Sequence, residues 1–308
     1  MYVPIFSPLR STSQAVFELF LSAFLWGFGF IATVWALRGM GPYWATALRF
    51  LLAVGVMLPF FFISRRLQGP FFMRDFWFSI FPGIAIGSTL CLQSIGLKQT
   101  SVTNSSFITS LYVVFVPILE PLFLRSRPPL VHVAWVSIGL IGTGLITRFE
   151  ATTFNQGDLF TLGCALMASL HIVLLGKLGR KMIYPFRFNI FQSFWAGLVA
   201  MAPAMAYEHL DMSNIPMIAM AGLSFLVIGS TLLAFTAQVR AQTRLSPSTV
   251  SMLFLLEAPL ATLMASFLLH ESLVPTQFIG ACLIFIAGLG VVWTTGRQLD
   301  HFPRAKGA

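Results

Sequence analysis

The sequence predicts an all-α membrane protein with ten transmembrane helices, arranged as two inverted five-helix repeats around a central cavity. Three observations predict this fold: an apolar composition, ten long hydrophobic segments and a repeated pentapeptide. Of the 308 residues, 57% are hydrophobic and only 9% are charged, whereas about a quarter of the residues of a soluble domain are charged. A core of this size could not hide so much apolar surface from water, so lipid must surround much of it.

Ten apolar segments of spanning length follow one another along the chain, separated by short links that contain turn residues. They lie near 17–37, 43–63, 76–97, 104–124, 131–148, 158–178, 186–206, 215–238, 247–268 and 274–295. We therefore expect a first five-helix repeat at 17–148, a second at 158–295, and cytoplasmic tails at 1–16 and 296–308.

The pentapeptide Ile-Gly-Ser-Thr-Leu occurs at 86–90 and again at 228–232, and this offset of 142 residues identifies the repeat. The offset places the third segment on the eighth, so each repeat holds five segments. Because five is odd, the second repeat must enter the membrane from the opposite side. Inverted repeats around a midplane site are the architecture of alternating-access carriers. The pentapeptides are predicted to be flexible gating points, formed by Gly87, Ser88, Thr89, Gly229, Ser230 and Thr231.

The basic residues predict the orientation in the membrane. With the amino terminus placed inside, 15 of the 19 Lys and Arg residues fall in cytoplasmic loops and tails, three fall in outer loops, and Arg49 lies within a segment. This bias predicts that both termini are cytoplasmic, and we expect a multi-pass protein of the bacterial inner membrane. The net charge of +9 comes from basic residues scattered singly or in pairs, which loop charges explain better than nucleic-acid binding.

Charged side chains inside a bilayer are costly in free energy, so each one needs a structural or functional explanation. Glu257 lies near the middle of the ninth segment, and Arg49 is the only Lys or Arg that lies away from the ends of a segment. Two interpretations stay open: Glu257 binds a substrate ammonium group or carries a coupling proton, or it forms a buried charge pair with Arg49. At 100° per residue, Glu257 points away from Ser248 unless Pro259 bends the helix.

Hydroxyl side chains repeat on one face of the fourth and ninth segments. Ser106 and Thr109 are three residues apart in the fourth segment, and Ser248 and Ser251 match them in the ninth. These faces either line a cavity or pack one helix on another. The predicted substrate-binding residues are Trp26, Gln93, Thr109, Tyr112, His171, Phe235, Ser251 and Glu257.

Three other polar residues have roles that the sequence leaves open. His171, the only histidine well within a segment, shuttles protons or packs as a neutral side chain. Gln192, which corresponds to Arg49 across the repeat, is a candidate for the cavity wall. Glu120 lies near the cytoplasmic end of the fourth segment, where a solvated or paired carboxylate is favoured over a ligand.

Nothing in the sequence predicts catalysis or a bound metal. Cys91, Cys164 and Cys282 lie in apolar segments without metal-ligand spacing, so we expect small buried side chains. The chain has no Gly-x-Ser-x-Gly elbow, no His-Glu-x-x-His and no phosphate loop. We therefore expect a protein that is not an enzyme and has no cofactor.

The stretch from Ser248 to Trp293 resembles the last two helices of EamA-type carriers in the drug/metabolite transporter superfamily. The matching motifs are a Glu-x-Pro, a His-Glu step at a helix end, and a Gln-x-x-Gly run followed by Leu-Ile and glycine. They are carried by Glu257, Pro259, Glu271, Gln277, Gly280, Leu283, Ile284 and Gly288. The first half departs from the family at 124–128, where Leu-Arg-Ser-Arg-Pro stands in place of a Gly-Glu step. We therefore expect the first half to lack the matching helix-end carboxylate.

The resemblance implies a secondary active transporter of small polar metabolites, an exporter of amino acids or related compounds that works by alternating access. Two alternatives stay open: uptake or exchange of a larger metabolite such as a nucleotide conjugate, and a passive membrane channel. The expected partners are a small-molecule substrate and membrane lipid, without nucleic acid, and a homo-oligomer is left open.

Overall fold

The structure is a computed structural model that describes residues 11–64, 68, 71–125, 130–147, 155–179, 181, 184–271 and 274–301. All regular secondary structure in these ranges is helical. The helices of the first half are α1 (Thr12–Ala36), α2 (Pro42–Ile63), α3 (Phe72–Phe78), α4 (Ile80–Leu97), α5 (Val102–Ser110), α6 (Tyr112–Leu124) and α7 (Leu130–Thr147). Those of the second half are α8 (Gln156–Gly179), α9 (Pro185–Tyr207), a 3₁₀ turn (Met212–Asn214), α10 (Met217–Phe225), a π-helix (Leu226–Ala234), α11 (Phe235–Ala241), α12 (Pro247–Phe254), α13 (Glu257–Leu269) and α14 (Pro275–His301).

Within the described ranges, nine stretches are long and apolar enough to cross a membrane. They are α1, α2, α4, α5 with α6, α8, α9, the run from α10 through the π-helix to α11, α12 with α13, and most of α14. α7 occupies the position of the predicted fifth span but offers a shorter apolar stretch, Leu130–Leu145. The all-helical membrane fold is therefore confirmed, whereas the count of ten spans remains a prediction.

Capping residues explain why several helices begin where they do. Ser11 and Gln14 form a capping box, because the Ser11 hydroxyl accepts from the Gln14 backbone N–H at 3.2 Å and the Gln14 side chain accepts from the Ser11 N–H at 3.3 Å. α1 therefore begins at Thr12, inside the predicted tail. Ser101 and Ser246 cap α5 and α12.

Helices extend into both predicted tails within the described ranges. α14 continues to His301, so part of the expected carboxyl-terminal tail is helical. Residues 1–10 and 302–308 lie outside the described ranges. Several basic residues that predict the orientation lie outside them too, namely Arg10, Arg65, Arg66, Arg127, Arg148, Arg180, Arg304 and Lys306. The orientation of the termini remains a prediction.

The fourth and ninth predicted spans are both broken near the middle. α5 and α6 meet at Leu111, and α12 and α13 meet at Leu255 and Leu256. In the ninth span, Pro259 has no N–H to donate to the carbonyl of Leu255, four residues earlier. The missing hydrogen bond weakens the helix between α12 and α13. Glu257 is the first residue of α13, directly after the break.

The most extensive helix contacts run between the two halves in reciprocal pairs. α2 packs on α9, and α7 packs on α14. α4 packs on α8, and the matching run from α10 to α11 packs on α1. α6 also packs on α8, as α13 packs on α1. The helices of the two halves therefore pack against each other throughout the bundle, and the inverted relation of the halves remains a prediction.

Candidate functional site

A cavity lies between the two halves, near the middle of the spans. α1, α2, α4 and the α5–α6 region contribute from the first half; α8, the π-helix, α11 and the α12–α13 region contribute from the second. The cavity has about 560 Å³ of empty volume, which includes space open to solvent. Its polar lining residues are Arg49, Thr89, Gln93, Thr109, Tyr112, His171, Ser230, Gln238 and Glu257.

Seven of the eight predicted substrate-binding residues line this cavity. They are Trp26, Gln93, Thr109, Tyr112, His171, Phe235 and Glu257. Trp26 and Phe235 form part of the apolar wall, with ring centroids 5.0 Å apart. That these residues bind substrate remains a prediction.

Ser251 is the eighth predicted residue, and the structure does not place it in the cavity wall. Its hydroxyl is fully buried and donates to the carbonyl of Ser248 at 3.0 Å. Ser106 similarly donates to the carbonyl of Thr103 at 2.9 Å. Both hydroxyl pairs lie within single helices, α5 and α12, before the breaks, so sharing a helix face did not place all four side chains against the cavity. Of the four hydroxyl residues, only Thr109 reaches the cavity.

Gln238 and Phe254 line the cavity but were missed by the sequence interpretation. Gln238 lies three residues after Phe235, on the same helix face, and its spacing could have revealed it. The oxygen of its side-chain amide, Oε1, is buried without a hydrogen-bond partner in the described chain. A polar atom of this kind costs free energy unless a ligand or water satisfies it.

Arg49 does not form the predicted buried charge pair with Glu257, although both side chains line the cavity. The Arg49 Nε donates to the hydroxyl of Thr231 at 3.1 Å, and its Nη2 donates to the hydroxyl of Ser230 at 2.6 Å. The guanidinium group also lies 5.6 Å from the centre of the Phe50 ring. Neutral hydroxyls, rather than a carboxylate, therefore hold this buried cation.

Glu257 faces the cavity with only 9% of its surface exposed. Within the described ranges no basic side chain lies within salt-bridge distance of it. The hydroxyl of Tyr112 is a close neighbour of its carboxyl group, but the two do not meet with hydrogen-bond geometry. The cavity thus contains one buried cation and one buried acidic group that are not paired with each other.

A hydrogen-bond chain runs behind the cavity wall from His171. The His171 Nε2 lies 3.2 Å from the Gln192 side-chain oxygen, and the Gln192 amide donates to the Asn189 oxygen at 2.9 Å. Asn189 in turn donates to the carbonyl of Thr231 at 3.1 Å and to the hydroxyl of Thr236 at 2.9 Å. Because the Gln192 oxygen can only accept, the proton in the first bond is assigned to His171 Nε2. Gln192 supports the wall instead of lining it.

The second pentapeptide lies within the π-helix, and side chains from other helices bind its backbone carbonyls. Trp26 Nε1 donates to the carbonyl of Ser230 at 3.2 Å. Ser22 donates to the carbonyl of Ala234 at 3.0 Å, and Asn189 reaches the carbonyl of Thr231. A π-helix widens the turn and leaves carbonyls available to side chains, and such segments are frequent at functional sites.

The first pentapeptide lies in the regular helix α4 and packs closely. A Cβ added to Gly87 would lie 2.8 Å from the carbonyl oxygen of Ala196, so glycine permits this approach of α4 and α9. The Thr89 hydroxyl donates to the carbonyl of Ala85 at 2.8 Å, within its own helix. Ser88 is half-buried. Flexing at either pentapeptide remains a prediction.

Two acidic side chains of the first half bind helix starts of the second half, at the end predicted to face the cytoplasm. Asp75 forms a salt bridge with Arg187, which is fully buried at the start of α9. Glu120 accepts from the backbone N–H of Ser248 at 3.0 Å and from its hydroxyl. Glu120 is thus the paired helix-end carboxylate that the sequence favoured. It also provides a helix-end carboxylate in the first half, where the departure at 124–128 predicted none.

Two acidic side chains of the second half perform the reciprocal task at the opposite end. Glu208 accepts from the backbone N–H groups of Tyr43 and Trp44 at 3.1 and 2.9 Å, at the start of α2. Glu271 accepts from the N–H of Val102 at 3.0 Å and also binds Thr103, at the start of α5. Carboxylates at helix amino termini are stabilising because they bind free N–H groups and oppose the helix dipole.

Two further links join the halves. Glu18 forms a salt bridge of 3.1 Å with Arg240, and Asp158 accepts from the Thr100 hydroxyl at 2.7 Å. Of the described acidic side chains, Asp211 instead caps its own 3₁₀ turn. There, hydrogen bonds from Ser213 lower its pKa below the usual value.

Within the described ranges, neither the cysteines nor the other residues that could ligate a metal form a metal site. Cys91 and Cys164 are buried and free, whereas Cys282 is exposed, so the expectation of burial is wrong for this residue. It lies on α14, on the outside of the bundle. No group of three or more His, Cys, Asp or Glu residues in the described chain could hold a metal ion.

Comparison with known proteins identifies the family. The sequence matches the EamA-like transporter family over residues 14–148 and again over 155–293. It is 29% identical over 271 residues to an uncharacterized transporter from Archaeoglobus fulgidus, covering 87% of this chain and 82% of that protein. A solved crystal structure matches 94% of this chain and 100% of its own chain, with a TM-score of 0.74. Its sequence is 19% identical to this one, so this likeness shows the fold alone. The family match and the transporter relative point to a transporter rather than an enzyme. The chain therefore belongs to the EamA-like transporter family and is a multi-pass membrane transporter.

Proposed function

We propose that this transporter is a secondary active carrier that exports a small polar metabolite, such as an amino acid, by alternating access. The observation that carries the proposal is the cavity between the halves, which is lined by Arg49 and Glu257 without pairing them. Buried charges of this kind mark substrate or ion pathways in membrane proteins. We further place the protein in the bacterial inner membrane with both termini in the cytoplasm.

The acidic links at the two ends of the cavity support alternating access. Glu120 and Asp75 hold the halves together at the predicted cytoplasmic end, and Glu208 and Glu271 hold them at the outer end. A carrier must open one end while the other stays closed. Reciprocal links, each made by one half onto helix starts of the other, are suited to breaking one set at a time.

The alternatives are less well supported by the cavity. A nucleotide conjugate carries several negative charges, and Arg49 is the only basic side chain other than His171 among the lining residues. A passive channel needs a continuous path through the protein, whereas acidic links join the halves at both ends of the bundle. The small polar metabolite is therefore the favoured substrate class.

Counterflow in proteoliposomes tests the carrier. Purified protein is reconstituted, loaded with one unlabelled amino acid at a time, and assayed for uptake of the same labelled compound. A carrier gives uptake that saturates and is accelerated by internal substrate, whereas a channel gives uptake that internal substrate does not accelerate. If none of the twenty amino acids gives counterflow, the amino-acid proposal is wrong.

The links give a second test, with Glu120→Gln and Glu271→Gln as a matched pair. The probe is a single cysteine at Ala168 in the cavity wall, in a background without native cysteines. Glu120→Gln is expected to speed labelling by an impermeant maleimide from the cytoplasmic side several-fold, and Glu271→Gln from the outer side. Equal acceleration from both sides by either variant would contradict alternating access.

A further inference from the structure

Arg49 is a buried cation that the protein has not neutralised. The residue is only 4% exposed and lies two turns into α2. Two of its three guanidinium nitrogens donate to hydroxyls, and no acidic side chain of the described chain lies within salt-bridge distance. Hydroxyl oxygens satisfy donors without cancelling charge. Because an uncompensated buried charge is expensive, the site calls for an anion.

The orientation of the guanidinium is fixed by the π-helix. Ser230 and Thr231 bind Nη2 and Nε, which leaves Nη1 without a partner in the described ranges. The backbone that carries these hydroxyls is itself held by Trp26 and Asn189 at the same two residues. The free edge of the guanidinium therefore belongs to a rigid group that faces the cavity.

An acidic side chain lines the same cavity but is not paired with Arg49. Glu257 has no basic partner in the described chain, and the adjoining Tyr112 hydroxyl has no hydrogen-bond partner there either. A ligand with one anionic and one cationic group would neutralise both side chains. Trp26 and Phe235 offer apolar surface to the remainder of such a ligand.

We propose that Arg49, oriented by Ser230 and Thr231, is a carboxylate-binding subsite, and that the transported molecule is an amino acid whose ammonium group faces Glu257. An arginine held by two hydroxyls presents N–H donors to a carboxylate oxygen in a charge-assisted hydrogen bond. Lysine could supply the charge but not the fixed planar geometry. This proposal rests on the proposed function and adds the part of the substrate that Arg49 selects.

The test compares each transported amino acid with its carboxamide and its decarboxylated amine, as competitors of counterflow. The expected result for the wild-type protein is inhibition at least tenfold stronger by the amino acid than by the two analogues. Ser230→Ala is expected to reduce this ratio several-fold. Ser88→Ala, the same change in the first pentapeptide, is expected to leave it unaltered, because Ser88 does not line the cavity.

Arg49→Lys is the second variant, and it keeps the charge in case neutral replacements fail to fold. It is expected to raise KM for the amino acid about tenfold and to weaken the amide and amine little. Equal inhibition by all three compounds in the wild-type protein would overturn the subsite and leave the carrier intact. Carboxylate-dependent binding, measured as a shift in melting temperature, without any counterflow would support the subsite and overturn the carrier.

Discussion

The two copies of Ile-Gly-Ser-Thr-Leu have the same five residues but different structures. The copy at 86–90 lies in the regular helix α4, and its Thr89 hydroxyl bonds within that helix. The copy at 228–232 lies in a π-helix, and its Ser230 and Thr231 hydroxyls bind Arg49. One copy mainly packs against α9, while the other orients a charged group in the cavity. Local sequence therefore does not decide the local structure here.

The neighbours of the two copies explain the difference. Ser22 and Trp26 donate to carbonyls of the π-helix, and at the repeat offset of 142 their counterparts in α8 are Cys164 and Ala168. Alanine has no side-chain donor, and a thiol is a weak one. The first copy consequently has fewer partners for freed carbonyls, and a regular α-helix is the better way to satisfy them.

The largest effect is expected for alanine at the two pentapeptide glycines. Gly87→Ala places a Cβ 2.8 Å from the Ala196 carbonyl oxygen and 3.0 Å from its Cα, so two backbones must move apart. We expect a loss of about 3 kcal/mol in the free energy of unfolding, as for overpacked cores. Gly229→Ala meets the outer ring atoms of Phe225 at 2.9 Å, and a side chain can shift more easily. Melting temperatures in detergent measure the difference.

A larger loss for Gly229→Ala than for Gly87→Ala would contradict this assignment. It would mean that the π-helix, and not the α4–α9 contact, is the tighter of the two environments. Gly55, which has open space around its position, provides a matched control on α2, where alanine is expected to cause no loss.

Hydroxyl removal from the two threonines is expected to have the next largest effect. Thr231→Val removes the acceptor for Arg49 Nε, and a hydrogen bond to a charged group contributes about 1.5–3 kcal/mol. Thr89→Val removes only a bond to its own helix, worth about 1 kcal/mol or less. Melting temperatures of the two variants should separate in this order. Equal losses would show that Arg49 does not depend on the Thr231 hydroxyl.

The sequence predicts the architecture more fully than the site. Composition and apolar periodicity locate the helices, because lipid selects for long apolar stretches regardless of partners. Intramembrane polarity also selects most of the cavity residues, since a polar group such as Gln93 or His171 is costly elsewhere. The partner of Arg49 was not predictable in this way. It depends on a π-helix that the first pentapeptide, with the same sequence, does not form.

The positions of the acidic links between the halves were likewise not predictable from the sequence. The sequence departs from its family at 124–128, and this departure predicts that the first half lacks a helix-end carboxylate. Glu120, about one turn earlier, performs the task by binding Ser248 across the interface. A motif search compares fixed positions, whereas a link requires only that a carboxylate can reach free N–H groups.

The smallest effect is expected for Ser22→Ala, which tests whether side-chain partners maintain the π-helix. The variant removes a hydroxyl whose single proton is shared between the carbonyls of Ala234 at 3.0 Å and Glu18 at 2.9 Å, and we expect a loss of about 1 kcal/mol. Hydrogen–deuterium exchange at 226–234 should rise, while exchange at 86–90 should not. Ser169→Ala is the control, because its hydroxyl bonds only within α8. If exchange at 226–234 is unchanged, the π-helix is maintained by packing alone, and the neighbours in α1 do not account for the difference between the two copies.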